Sequence, residues 1–533
     1  MSSRPIGIVG DNSTPTEVDV KALYPVPAGT YIYAKFKVKD PVSGEEGLRE
    51  VVGIIGSSMY RSIVPIITTP NLGMYESPSS DLKRESYMKA LIIADITDGR
   101  ADAPRHPPPP ETPIYLAHLN HLRVVYGYDS GSSIRVGSLV GFDELEIKVN
   151  VNALAKHLLI TGTTGSGKSN LVAVLADRVA QMGGSVVIFD VHGEYKGLVS
   201  ESRDVMVVDY DACINLIKSP VGLLVGFIIT EPTATKQRRL LRNAIRKLND
   251  DVCDIALRSR VPYSEAVKRL YAEKFKARSG SSAQQVAIKD LNPLDAYRDL
   301  LKVYLGDHDD KITNEIRDKI DDFFEWHKVA LDAPEVSELI DCRKVVVVDV
   351  STLTDEEKDY MLKVIAENIL WSLKERKIVP TLLVIEEAHI FISRDMATRS
   401  KGTLQRFIRE GRKFGGMLAI VSQRPRALDA NVVSQVQNYA FLKLVQRGDK
   451  SVIMELSDIL SEEYVNLLPT LPPGHGILIG EWIGRYPAYV KIDMHMGKRV
   501  GATPDVVSIW RSSLERRSKA LDIKSLSSEW EGN

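Results

Sequence analysis

Cysteine is scarce. Only Cys213, Cys253 and Cys342 occur in 533 residues, far apart and without a CxxC spacing. That argues against a disulfide framework or a cysteine-rich zinc cluster, and it suits a reducing compartment. No window reaches the roughly 18 apolar residues of a membrane span. Met1–Ile6 holds no apolar run, so no signal peptide is expected, and the cytoplasm is the expected location. An excess of charge of either sign is also missing: the formal net charge is −1. This neither requires nor forbids nucleic acid, because a basic channel can sit inside an acidic body. No internal repeat is visible. What remains is a globular composition, 44% hydrophobic and 26% charged, in a chain long enough for several domains.

Residues 1–103 read as β-structure. Thr30–Val38, Glu50–Ile55, Ser62–Thr68 and Lys89–Asp95 are short, rich in Val, Ile or aromatic residues, and separated by Gly, Pro and Asp. Such strands predict a small barrel or sandwich. Ala103–Pro113 carries consecutive prolines, which favour extended backbone, so 104–131 reads as a stiff linker and connection. From Lys156 the pattern turns to strands alternating with helices: His157–Thr161, Ser185–Asp190, Asp204–Val208, Lys344–Asp349, Thr381–Glu386 and Met417–Ser422, with Gly476–Gly480 and Tyr489–Ile492 late. Alternation of this kind predicts an α/β fold with a parallel sheet. Residues 235–332 interrupt it with apolar residues at helical spacing, a helical insertion with a flexible loop expected at Ala277–Ile288. The core is thereby split into 132–234 and 333–496, and 497–533 forms a polar tail containing Trp510 and Trp530.

The most specific motif is Gly162-Thr163-Thr164-Gly165-Ser166-Gly167-Lys168-Ser169, a full GxxxxGK[ST] between an apolar strand and a helix. Glycines there let successive backbone N–H groups converge on phosphate, and the helix N-terminus adds a favourable dipole. Lys168 is expected on the β- and γ-phosphates of ATP, Ser169 on Mg²⁺, and Asn170 at the end of the nucleotide-binding run. A second, acidic element follows the apolar run Leu382–Ile385: Glu386 is expected to hold Mg²⁺ and Glu387 to polarise the attacking water. Asp349, after four valines, is the rival acid. Gln423 ends another strand and is expected to sense the γ-phosphate. In Asp190–Tyr195 (DVHGEY), Glu194 is expected near the reacting water, while His192 reads as structural.

Between Arg394 and Arg426 lie nine basic residues against Asp395 and Glu410. Arg409 and Arg412, three residues apart on an expected helix, are candidates for an arginine supplied to a neighbouring subunit. Arg394, Arg399 and Lys401 are candidates for contacts to DNA phosphates in a pore. Lys236–Lys247 holds six basic and no acidic residues, a second candidate nucleic-acid surface.

The runs HLLITGTTGSGKSN, FDVHGEY, LLVIEEAHIF and RFIREGRKFGGMLAIVSQRP, in that order, resemble the HerA family within the HerA–FtsK group of hexameric P-loop motors. The resemblance covers about Ser132 to Ile492. It implies a RecA-like P-loop ATPase core, and position and strand pattern liken the N-terminal region to the small HAS barrel of that family. It further implies a homo-hexameric ring around double-stranded DNA. The implied work, with the NurA nuclease and the Mre–Rad complex, is DNA end resection for homologous recombination. On this resemblance the Walker lysine is Lys168, the Walker B acids Glu386 and Glu387, the sensor Gln423, and the trans-acting arginine Arg412 or Arg409; the tail after Gly497 braces a neighbour. Two alternatives stand beside it: a related pump for chromosomes or viral genomes, and a nucleotide-dependent DNA clamp without motor activity.

Overall fold

Four valines in Lys344–Asp349 and Leu-Leu-Val-Ile in Thr381–Ile385 mark strands covered on both faces, and both lie well inside one large sheet. The structure, a computed structural model, describes residues 4–39, 46–62, 84–127, 129, 131–231, 233–278, 291–306, 311–456, 462–484, 486–497 and 510–512.

The N-terminal strands are β1 (Gly7–Ser13), β2 (Glu17–Ala22), β3 (Tyr31–Lys39), β4 (Glu46–Ser62), β5 (Arg84–Asp95) and β6 (Pro113–Leu116). They close into a barrel in the order β1-β2-β5-β4-β3-β6, with β6 pairing back to β1. Closure leaves no free sheet edge. Alternation places Ile32, Ala34 and Phe36 of β3 inside, against Val18, Val20, Val51, Ile55 and Ile92. The closing strand β6 lies within the stretch read as linker. Pro113 opens it, a position where the missing N–H is tolerated. Of the strand expected at Ser62–Thr68, only Ser62 is described, and the rest of that expectation lies outside the described residues.

The α/β core holds β7 (Ser133–Leu139), β8 (Phe142–Asn150), β9 (Leu158–Thr161), β10 (Ser185–Asp190), β11 (Met206–Asp211), β14 (Lys344–Asp349), β15 (Thr381–Ile385), β16 (Gly416–Ser422), β17 (Asn438–Phe441), β18 (His475–Gly480) and β19 (Ala488–Ile492). Their order is β11-β14-β10-β15-β16-β9-β17-β18-β19-β7-β8. The seven from β11 to β17 run parallel, and β18, β19, β7 and β8 extend the sheet antiparallel. The helix Asp355–Lys374 covering this sheet starts from a capping box: Thr354 N donates to Glu357 Oε2 at 2.7 Å, and three acids fill the first turn.

The insertion leaves the core after β12 (Ile214–Asn215) and returns through β13 (Val329–Ala330), which pair in parallel. Between them run the helices Val221–Ile228, Thr235–Ser259, Tyr263–Arg278, Pro293–Leu305 and Lys311–Trp326. Leu241, Ile245, Leu248 and Val252 join Leu270, Leu300, Leu301, Ile316 and Ile320 in the core cluster. Of the loop expected at Ala277–Ile288, Ala277 and Arg278 end a helix, and the remainder lies outside the described residues. Most of the tail after Gly497 also lies outside them, with Trp510 in a described helical turn.

Barrel and core are packed together. Tyr31, Ile54 and Leu91 share a hydrophobic cluster with Tyr126, Leu139 and Ile147. Tyr489 N donates to the Tyr31 hydroxyl at 3.3 Å, and Lys89 pairs with Glu463 at 2.8 Å.

Candidate nucleotide site

The C-terminal ends of β10, β15, β16 and β9 are neighbours along one rim of the sheet, where open α/β folds bind ligands. β9 delivers the P-loop. Gly165 and Gly167 have φ of 73° and 107°, left-handed values that residues with a Cβ resist. Lys168 is the first residue of the helix Lys168–Gln181, and its ammonium donates to Thr163 O at 3.2 Å across the loop. Burial lowers the Lys168 pKa, opposed by the carboxylates of Glu387, Glu386 and Glu194. Among the described residues the buried Ser166 hydroxyl has no hydrogen-bond partner, an orphaned polar atom inside the loop that a phosphate ligand can satisfy.

β15 delivers the acids. Glu386 and Glu387 are both buried. Glu387 adopts φ 46° and ψ 41°, a left-handed conformation that costs a side-chain-bearing residue about 1–2 kcal/mol. The strain turns its carboxylate toward Gln423, whose amide donates to it, and His389 Nδ1 lies 3.2 Å from its other oxygen. Gln423 in turn accepts from the Thr164 hydroxyl at 2.7 Å. A continuous polar path therefore joins the P-loop to Glu387 through one amide. Burial would raise Glu387, but His389, Gln423 and Lys168 outweigh it and hold the carboxyl below its ordinary range. It is ionised at neutral pH.

Glu386 is the opposite case. Burial, helped by Glu194 and Glu387, raises its pKa from 4.5 to about 7, against the lowering effects of the Tyr195 hydroxyl and Lys168. Two adjacent carboxyls thus carry different charge states, an arrangement typical of reacting sites. A raised folded pKa makes the stability contributed by Glu386 complete below pH 4.5. It is lost as pH rises through 7, by about 3 kcal/mol for a shift of this size. Thermal melts of metal-free protein across that window are expected to fall with pH, and Glu386→Gln is expected to flatten the fall. An unchanged profile in the variant would remove Glu386 as its source.

Sequence reasoning missed two residues. Tyr195 donates its hydroxyl to Glu386, and His389 sits beside Glu387; both lie within recognisable motifs, but nothing in one dimension aims them at the acids. Glu194, expected near the reacting water, accepts from the Ser169 hydroxyl beside the P-loop. Asp190 anchors this loop by accepting from the N–H groups of His192, Gly193, Glu194 and Tyr195 at 2.8–3.3 Å. His192 is half exposed, 4.0 Å from Glu387.

Other expected residues lie elsewhere. Asn170 points away from the P-loop: its amide donates to Asp493 O at 2.8 Å and accepts from His495 N at 3.0 Å. Asn170→Ala is expected to leave ATP binding intact, to destabilise the fold by about 2 kcal/mol, and to speed hydrogen exchange at residues 493–497. Loss of nucleotide binding with unchanged exchange would contradict this placement. The rival acid Asp349 ends β14, on the far side of β10 from β15, and is held by Lys196 at 3.0 Å and the Ser351 hydroxyl at 2.6 Å. Lys401 is tied to Asp429 at 2.7 Å and to Ser393 O, so its ammonium is committed within the subunit. Arg399 lies over the Phe227 ring, and Arg394 is exposed. Arg409 and Arg412 are exposed at the end of the helix Lys401–Gly411, just before β16 begins, whereas Gln423 follows its other end. Seven residues of strand, roughly 20 Å, separate them from this chain's own acids.

P-loop, acidic strand end two places away in the sheet and the Gln423 amide between them define a P-loop ATPase of the RecA type. The family model "Helicase HerA, central domain" matches residues 134–369. The DNA double-strand break repair helicase HerA of Sulfurisphaera tokodaii is 34% identical over 82% of this chain and 84% of its own length. That of Saccharolobus solfataricus is 30% identical over 98% and 99%. A looser likeness is the solved plasmid coupling protein TrwB in complex with GDPNP, with a TM-score of 0.44 and 14% identity over 73% of this chain and 95% of that one. The chain belongs to the HerA family. Among the described residues no helix is long and apolar enough to cross a membrane.

Proposed function

We propose that ATP hydrolysis at this site drives a homo-hexameric ring of the chain along double-stranded DNA, in the cytoplasm. The ring acts as a translocase or helicase in end resection for double-strand break repair by homologous recombination. NurA nuclease and the Mre–Rad complex are its working partners. The curated relatives are named as break-repair helicases, which supports this cargo over chromosome or genome packaging. The observation that carries the ring is the separation of the arginines from the acids along β16. Lys168, Glu386, Glu387 and Gln423 share one rim, while the two candidate arginines occupy the other end of that strand. An arginine so placed serves a neighbour's site, not its own.

The donor set fits Mg²⁺: Ser169, Glu194 and Glu386 offer hard oxygens, with Glu194 accepting from Ser169 and near enough to Glu386 to raise its pKa. When bound there, Mg²⁺ neutralises charge on the β- and γ-phosphates. Lys168 and the N–H groups of the loop bind the phosphates. Glu387 orients the attacking water and accepts its proton, and Gln423 holds Glu387 in register with the P-loop through Thr164. Steady-state ATP hydrolysis with and without linear duplex DNA tests the reading. DNA is expected to raise turnover several-fold in the wild type, with Lys168→Ala inactive in both conditions. Turnover indifferent to DNA favours a nucleotide-dependent clamp or another cargo.

A further inference from the structure

The insertion carries charge that the nucleotide site does not use. Its longest helix, Thr235–Ser259, packs Leu241, Ala244, Ile245, Leu248 and Val252 inward. At 3.6 residues per turn, Lys236, Arg239, Arg242, Arg246 and Lys247 fall within an arc of about 140° on the outward side, and all five are exposed. None has an acidic partner among the described residues. Of the acids around this face, Glu231 pairs with Lys319 at 2.7 Å and Glu315 accepts from Gln237 at 2.7 Å, while Asp250, one turn beyond Arg246, follows the cluster on the same face and leaves it with an excess of four positive charges. Arg238 is a different case, since it donates inward to Ile229 O at 2.7 Å.

This concentration of charge is locally unfavourable. The cations crowd the half of the helix nearest its positive dipole end, where no acid occupies the first turn and Ala234 supplies no side-chain cap. A solvated helix usually mixes signs, and this one does so only further on, at Asp250 and Asp254. An external polyanion relieves the repulsion.

We infer that this face is a docking surface for the phosphate backbone of duplex DNA, outside the ATPase core. The inference rests on the DNA-motor reading above. Lys236 to Lys247 spans about 16 Å of helix, over which a duplex presents about nine phosphate charges. The face holds no aromatic residue on which unpaired bases could stack, which favours a duplex over a single strand. It also lacks the apolar centre of a protein interface. Flexible cations on a smooth face grip without reading sequence.

The test combines Lys236→Gln, Arg239→Gln, Arg242→Gln, Arg246→Gln and Lys247→Gln, which keeps good helix formers throughout. Binding to a fluorescent linear duplex is followed over a range of salt in the full-length protein. The variant is expected to bind at least about tenfold more weakly, with a salt slope shallower by about 0.9 for each phosphate no longer neutralised. Its ATP hydrolysis without DNA and its mass in solution are expected to match the wild type. A companion variant, Arg239→Lys with Arg242→Lys and Arg246→Lys, is expected to keep the wild-type slope, because phosphate binding here needs charge and not a fork. Wild-type affinity and slope in the glutamine variant would overturn the inference. So would normal DNA binding with altered mass, which would make the face an interface between copies. If the wild type itself binds no duplex, the motor reading fails first and this surface falls with it.

Discussion

Glu387→Gln is expected to lower kcat for ATP by about 10²–10⁴-fold, the usual contribution of a positioned general base, while ATP still binds. The substitution keeps the shape of the side chain and its neighbourhood to Gln423, so the polar path from Thr164 stays nearly intact. What it removes is the negative charge that His389, Gln423 and Lys168 together stabilise. Those three groups hold the carboxyl ionised despite burial, and the left-handed backbone at Glu387 aims it. Equilibrium binding of a fluorescent nucleotide alongside single-turnover hydrolysis separates the two effects. Tight binding with a dead chemical step is the expected pattern. Turnover within about tenfold of wild type would move the base elsewhere, with Glu194 the next carboxylate in reach of the loop.

The second large effect is at a distance. Arg412→Ala is expected to reduce hydrolysis by about 10³-fold or more, the range for a trans-acting arginine, although Arg412 lies at the end of β16 away from its own P-loop. Arg409→Ala, on the same exposed helix end, is the comparison that assigns the role. Mixing separates a finger from a folding defect. Arg412→Ala subunits retain a complete set of site acids, and Glu387→Gln subunits retain the arginine. In an equal mixture about a quarter of the interfaces pair an intact site with an intact arginine, so activity is expected to recover to about that fraction of wild type. No recovery, with both variants assembling normally, would put the arginine's effect inside its own subunit.

The legible parts of this fold are those where burial writes a pattern. β10, β14, β15 and β16 are nearly uninterrupted Val, Ile and Leu because helices or further chain cover both faces, and the sequence places them to within a residue. β17 (NYAF) is as buried but only four residues long, too short to stand out from its surroundings. The barrel strands β1 and β2 (GIVGDNS, EVDVKA) carry charge on their outer faces, and β6 opens with a proline, so periodicity alone does not announce them. At the site, the P-loop is visible because phosphate binding demands glycine at fixed spacing. Tyr195 and His389 are not, because their partners come from other strands or from a backbone kink. Asn170 shows the limit of a motif: it directly follows Ser169, but its side chain points to the segment after β19 and away from the phosphates.

One measurement addresses the motor most directly: displacement of a third strand from a triplex placed along a linear duplex, followed in time after adding ATP. Wild-type protein is expected to release the third strand after a lag that grows with its distance from the DNA end, and Lys168→Ala and Glu387→Gln are expected to release none. Release independent of ATP, or no release by a wild type that hydrolyses ATP on the same DNA, would contradict a translocating ring.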